Sequence, residues 1–171
     1  MTKRPADSAN ASAPTRQVPM RDFSRSLPMS LLRAREAVMR QFRPKLREHG
    51  LTEQQWRILR ALASIEAAEV TELARTAFLL GPSLSRILRD LEARNLIERK
   101  TAKADQRRSM VSISKEGVKL MASVAPSSEA IYAEITQRFG ARKLAELQEM
   151  LGQLELCLAF PDAGDDVTDE T

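Results

Sequence analysis

Ser83, Ser85, Arg86 and Arg89 fall within one short run, GPSLSRILRDLEA, and Lys103, Arg107 and Arg108 crowd a second, TAKADQRRS, whose single acid is Asp105. Hydroxyls and cations in that mixture bind rather than cleave. Serine holds phosphate oxygens, and arginine reaches guanine edges through two parallel donors. Catalysis lacks its parts: His49 is the sole histidine, and there is no glycine-rich phosphate loop, no Ser-His-Asp set and no tight carboxylate pair on a structured stretch. The sequence therefore points away from an enzyme, and no cofactor is expected. One histidine and one cysteine, Cys157, far apart along the chain, also fall short of the ligands a zinc site uses.

The periodicity around these residues says how they are held. Leu84, Ile87, Leu88 and Leu91 recur at i, i+3, i+4 and i+7, so the first run is a helix with one apolar stripe that faces a core. Ser83, Arg86, Arg89 and Ala93 lie on the other side. Gly81 makes a turn, Pro82 suits a first helical position, and Asn95 tolerates the left-handed conformation of a helix stop. Leu96 to Lys100 and Met110 to Ser114 read as two antiparallel strands, with TAKADQRRS as the loop between them. Such a basic hairpin is a wing that grips a phosphate backbone or minor groove. Ahead of Gly81, Val70 is expected to add a short strand edge. Thr71 is expected to cap a first helix that turns Leu73, Ala74, Ala77 and Phe78 inward.

The flanking segments are helical. Ser26 is expected to cap a helix that Pro28 tolerates in its first turn and that runs to His49 and Gly50. Its apolar side carries Leu31, Leu32, Arg35, Val38, Met39, Phe42 and Leu46, and Pro44 bends it or frays its end. Thr52 with Gln55 three places on forms a capping box, followed by Trp56, Ile58, Leu59, Leu62 and Ile65 as a buried side. Trp56 reads as core packing, or as the roof of a ligand cavity. After Gly117 a long helix carries Val118, Leu120, Met121, Val124, Ile131, Ile135 and Phe139, with Pro126 expected to bend or interrupt it and Gly140 to stop it. The last helix, Ala141 to about Phe160, is so rich in leucine that one small chain cannot cover it, which implies pairing with a second copy about a two-fold axis. Cys157 is expected to be buried among those leucines and inert, since an apolar setting raises a thiol's pKa.

Composition agrees with a mostly helical fold that also carries charged tails. The formal charge is +4, and the five acids Asp162, Asp165, Asp166, Asp169 and Glu170 have no base beside them, so removing that tail leaves +9. An excess of that size favours a polyanionic partner through counterion release. Residues 1–25, rich in Ala, Ser, Pro and charge, read as a disordered arm, a solvated extension with a second reading as a basic arm on DNA. Residues 161–171 read as an acidic disordered tail. Nothing resembles a signal peptide or a membrane span, so a cytoplasmic location is expected.

The order of helix, Ser/Arg helix, Asp-x-Arg hairpin, strand and Lys115-Glu116-Gly117 resembles the winged helix-turn-helix of MarR-type transcription regulators. Three flanking runs, LLRAREA from Leu31, Phe42-Arg43-Pro44, and GLTEQQWR from Gly50, resemble the subgroup that regulates homoprotocatechuate (4-hydroxyphenylacetate) degradation. The likeness covers residues 26–158. It implies a mainly α fold with a small β-hairpin. Residues 51–117 form the DNA-binding region and 26–50 with 118–160 the dimerisation helices.

The same resemblance implies a homodimeric DNA-binding regulator, expected to be a repressor. Pro82, Ser83, Ser85, Arg86 and Arg89 contact DNA from the helix, and Lys103, Asp105, Arg107 and Arg108 act from the wing. Asp105 matches the acid that orients the wing arginine, Arg107, while Gln106 stands where many relatives have another arginine. The implied effector is a small aromatic carboxylate, with Arg33 or Arg35 as its counter-charge and Met29, Met39, Trp56 and His49 as candidate walls. Some relatives sense peroxide through a cysteine near the start of the first helix, and the chain has none there. The alternatives are a DNA-binding dimer with no effector and one that answers a non-aromatic acid.

Overall fold

The computed structural model describes residues 22–102 and 105–159, without the side chains of 101–108. It divides into two units, residues 1–37 and 38–171. In the first, the Asp22 carboxylate accepts from the Ser24 N–H at 2.7 Å and the Ser24 hydroxyl at 2.6 Å, capping a 3-10 turn, Phe23–Arg25. The side-chain bond, then the backbone bond, hold that carboxyl below the usual aspartate range. Residues 22–25, assigned from sequence to a disordered arm, thus have local structure. Ser26 does not act as the expected helix cap, because its hydroxyl donates to the Phe23 carbonyl at 2.9 Å and closes this turn instead. Helix α1, Leu27–Glu48, follows directly.

The second unit holds the core. Phe42 and Leu46 of α1 are buried there, with Ile58, Leu59 and Leu62 of α2 (Glu53–Ala63). The α2 capping box forms as its sequence requires: Thr52 Oγ1 accepts from the Gln55 N–H at 3.2 Å, and Gln55 Oε1 accepts from the Thr52 N–H at 2.8 Å. Ile65 lies past the helix end and is 41% exposed, not buried as its spacing suggested.

Strand β1 is Ala68–Glu69 and helix α3 is Val70–Thr76. The strand edge therefore precedes Val70, and Glu69 rather than Thr71 stands at the helix N-cap, with no side-chain cap bond. Leu73 and Ala77 are buried, whereas Phe78 is exposed with φ +50°, because α3 ends before the stripe could carry it inward. Helix α4 is Gly81–Ala93, and Asn95 at φ +56° turns the chain out of it, as the sequence indicates.

Strands β2, Ile97–Ala102, and β3, Asp105–Ile113, are longer than the sequence suggested. They pair antiparallel from Ile97 with Ile113 to Thr101 with Ser109, and an irregularity at Thr101 and Ala102 lets Ala102 pair with Asp105. Most of the expected loop is therefore strand, since backbone pairing overrides the polar composition of TAKADQRRS. β1 completes an antiparallel sheet ordered β1-β3-β2.

Helix α5, Lys115–Phe139, begins before Gly117, not after it. Ser114 caps it by accepting from the Gly117 N–H at 2.9 Å and donates its own proton to the Asn95 carbonyl at 2.6 Å. A Cβ on Gly117 would overlap the Leu96 carbonyl oxygen and meet Ile113 Cγ1 at 2.8 Å, so only glycine lets this turn close on β2 and β3. Pro126 does not interrupt α5. Gly140, at φ +97°, separates it from α6, Ala141–Leu158. Phe160 and the acidic tail lie outside the described residues, as do residues 1–21 of the basic arm.

Candidate nucleic-acid interface

Helix α4 divides sharply by face. Leu84, Leu88 and Leu91 are fully buried and Ile87 half-buried, while Pro82, Ser83, Ser85, Arg86 and Arg89 are all exposed. The apolar stripe fixes the helix against the core, and the other side offers two hydroxyls and two guanidinium groups to solvent. A face of that kind can enter a major groove without unburying anything.

Two polar links set how α4 lies on the rest of the unit. Gln55, itself buried, donates from Nε2 to Asp90 Oδ2 at 2.6 Å. The same side chain thus closes the α2 cap and ties α2 to α4. Asp90 also faces Arg94 at 3.7 Å, and Glu92 faces Arg99 of β2 at 3.7 Å. Both acids of α4 are thereby matched to cations or donors at its C-terminal half, and Arg86 and Arg89 dominate what the exposed face presents. An open groove of about 720 Å³ runs beside the helix, lined by Thr52, Gln54, Leu79, Ser83, Arg86 and Asp90 among others.

Around the N-terminus of α2, Glu53 accepts from Arg43 at 3.0 Å and Arg57 at 3.0 Å, and Arg57 donates onward to the Ala77 carbonyl at 2.8 Å. This bridge joins α1, α2 and the end of α3. Sequence reading assigned Gln55 only its capping role and missed Asp90, Glu53 and Arg57. Their signal was a polar residue on or beside an apolar stripe, which becomes meaningful only when its partner is known.

In the wing, Asp105, Arg107 and Arg108 lie on β3, but their side chains are outside the described residues, as is the whole of Lys103. Among the effector candidates of the first unit, Met29 is half-buried, Arg33 donates to the Ser24 carbonyl, and Arg35 pairs with Glu36 at 2.8 Å. In the second unit Met39 and Trp56 pack against the core, and His49 Nδ1 lies 3.2 Å from Ser123 Oγ. Within its own chain Cys157 is exposed on α6, which corrects its expected burial, because α6 has no fully buried residue there. Among the described residues, no group of three or more His, Cys, Asp or Glu is placed to hold a metal, and no helix is long and apolar enough to cross a membrane.

A family model described as MarR family matches residues 49–108, from just after α1 into β3 of the wing. The chain is also 41% identical over 126 residues to the homoprotocatechuate degradative operon repressor of Escherichia coli, covering 74% of this chain and 85% of the relative. The chain belongs to the MarR family. Another relative, the HTH-type transcriptional regulator FarR of Neisseria gonorrhoeae, is 36% identical over 137 residues, covering 80% of this MarR-family chain and 94% of FarR. The solved structure of NadR in complex with 4-hydroxyphenylacetate superposes with a TM-score of 0.69 at 36% identity, covering 80% of this chain and 97% of NadR. With relatives named as a repressor and regulators, this member of the MarR family is a winged-helix DNA-binding transcriptional regulator and not an enzyme.

Proposed function

We propose that the chain is a repressor that binds a pseudo-palindromic operator as a homodimer in the cytoplasm and is released by a small aromatic carboxylate. The α4 face supports DNA reading most directly: three leucines anchor the helix while Ser83, Ser85, Arg86 and Arg89 stand free in solvent. Pro82 starts the helix, Ser83 and Ser85 hold phosphates, and Arg86 and Arg89 read base edges. Lys103, Arg107 and Arg108 grip the backbone from the wing, with Asp105 orienting Arg107.

Pairing of two copies is supported by α6, where Met150, Leu151, Leu156 and Leu158 are 58%, 40%, 77% and 60% exposed. Apolar surface left in water costs about 25 cal/mol per Å², and a second copy related by a two-fold axis removes it. A two-fold pair also sets two recognition helices about one turn of DNA apart.

The effector class is supported by the likeness to NadR, whose solved structure holds 4-hydroxyphenylacetate, and to the homoprotocatechuate operon repressor. Arg33 or Arg35 would supply the cation for a carboxylate, and Met29, Met39, His49 and Trp56 the surroundings of a ring. Release follows when the ligand binds better to dimers whose recognition helices are wrongly spaced for the operator. Titration with 4-hydroxyphenylacetate and 3,4-dihydroxyphenylacetate, following Trp56 fluorescence and operator anisotropy together, tests the scheme. Loss of operator binding at saturating ligand supports it. No change in either signal leaves a DNA-binding dimer without this effector.

A further inference from the structure

Phe78 and Leu80 are 78% and 79% exposed, the highest values among the large apolar side chains of the described residues. They bracket Leu79, which packs against the core, so the turn between α3 and α4 turns two apolar groups outward around one anchored inward. Leu80 is also the N-cap of α4, with φ −71°, ψ 143° and no side-chain cap bond. Ser, Thr, Asp and Asn are the residues that cap a helix, and leucine is among the poorest. The position therefore gives up helix stability, and among the described residues Leu80 is too exposed for packing to offset that loss.

What lies ahead of this residue on a DNA-reading helix is the floor of a major groove. In helix-turn-helix docking the N-terminal residues of the recognition helix meet the base edges. Leu80 immediately precedes Gly81, Pro82 and Ser83, and so is continuous with the face assigned to DNA. The one apolar group that a major groove displays is the C5 methyl of thymine. We propose that Leu80 is a specificity-determining residue that packs on a thymine methyl in each half-site. This rests on the reading of α4 as the recognition helix.

The test uses the full-length protein and a duplex selected from a random pool by that protein. Each thymine of the duplex is replaced in turn by uracil, which removes the methyl and nothing else. Wild-type protein is expected to lose about three- to fivefold in affinity at one position per half-site, the loss for one buried methyl-sized group. Leu80→Ser supplies a capping hydroxyl, so it folds at least as stably, yet it is expected to bind with no uracil penalty and with relaxed thymine preference. A wild-type affinity indifferent to every uracil, or an equal penalty in Leu80→Ser, overturns the proposal. So does a Leu80→Ser protein that sediments as a monomer where the wild type is a dimer, because the leucine would then serve a second copy. Arg86→Ala run alongside separates the two readings: if it relaxes base preference while uracil is silent, only the Leu80 assignment falls. If no duplex is selected at all, the DNA-reading role of α4 falls with it.

Discussion

Reversing the polarity of the Gln55–Asp90 bond is the sharpest test of how the recognition helix is held. Gln55 is 8% exposed, accepts from the Thr52 N–H at 2.8 Å and donates to Asp90 at 2.6 Å. Gln55→Glu keeps the acceptor that closes the capping box but sets a second carboxylate against Asp90. A hydrogen bond to a charged group contributes about 1.5–3 kcal/mol. Asp90 is 53% exposed, so solvent takes back part of that bond and screens the repulsion; we expect a net loss of about 2–3 kcal/mol. Asp90→Asn alone should cost less than about 1 kcal/mol, since the introduced amide can turn its carbonyl to the Gln55 side chain. The double variant Gln55→Glu with Asp90→Asn restores the bond with donor and acceptor exchanged, and should recover about 2 kcal/mol over Gln55→Glu. Urea unfolding read through Trp56, one residue from the site, measures all four proteins at one protein concentration, because dimerisation makes stability concentration-dependent. Operator anisotropy should follow the same order, with non-specific DNA affected less. A coupling below about 0.5 kcal/mol in the cycle would refute the view that this bond ties α2 to α4.

Other consequences can be checked separately. Gly117→Ala should cost about 3 kcal/mol or more in thermal unfolding, because its Cβ would overlap the Leu96 backbone, which cannot give way as a side-chain tip does. Glu53→Gln should cost about 1–3 kcal/mol by the same measurement, as it leaves Arg43 and Arg57 facing each other across a weaker acceptor. Leu156→Lys should convert the dimer to monomer in sedimentation while leaving the circular dichroism of the helices unchanged, since Leu156 is 77% exposed within its own chain. The hydrogen bond from Lys119 to Glu116 holds that carboxyl below the usual glutamate range. Because the folded pKa is depressed, the stabilisation is in place at neutral pH and is lost as pH falls below about 4.3, so Glu116→Gln should flatten the acid limb of a melting-temperature profile.

Local signals in the chain settled a great deal. The 3.6-residue stripe of Leu84, Leu88 and Leu91 fixes which side of α4 is buried whatever it packs against, and therefore which side Arg86 and Arg89 occupy. The Thr52 and Gln55 pair, Asn95 and Gly140 mark helix ends through backbone chemistry confined to a few neighbouring residues. Three-dimensional packing decided what such local rules leave open. The wing strands extended into a loop-like sequence because pairing across β2 and β3 outweighs composition. α5 started at Lys115 because Gly117 could approach the Leu96 carbonyl. Phe78, Leu80 and Cys157 came to lie outside because, among the described residues, no element passes over them. The second bond of Gln55 belongs to the same class: a hydrogen-bonding side chain announces its type in the sequence, but the partner 35 positions away is chosen only when two helices meet.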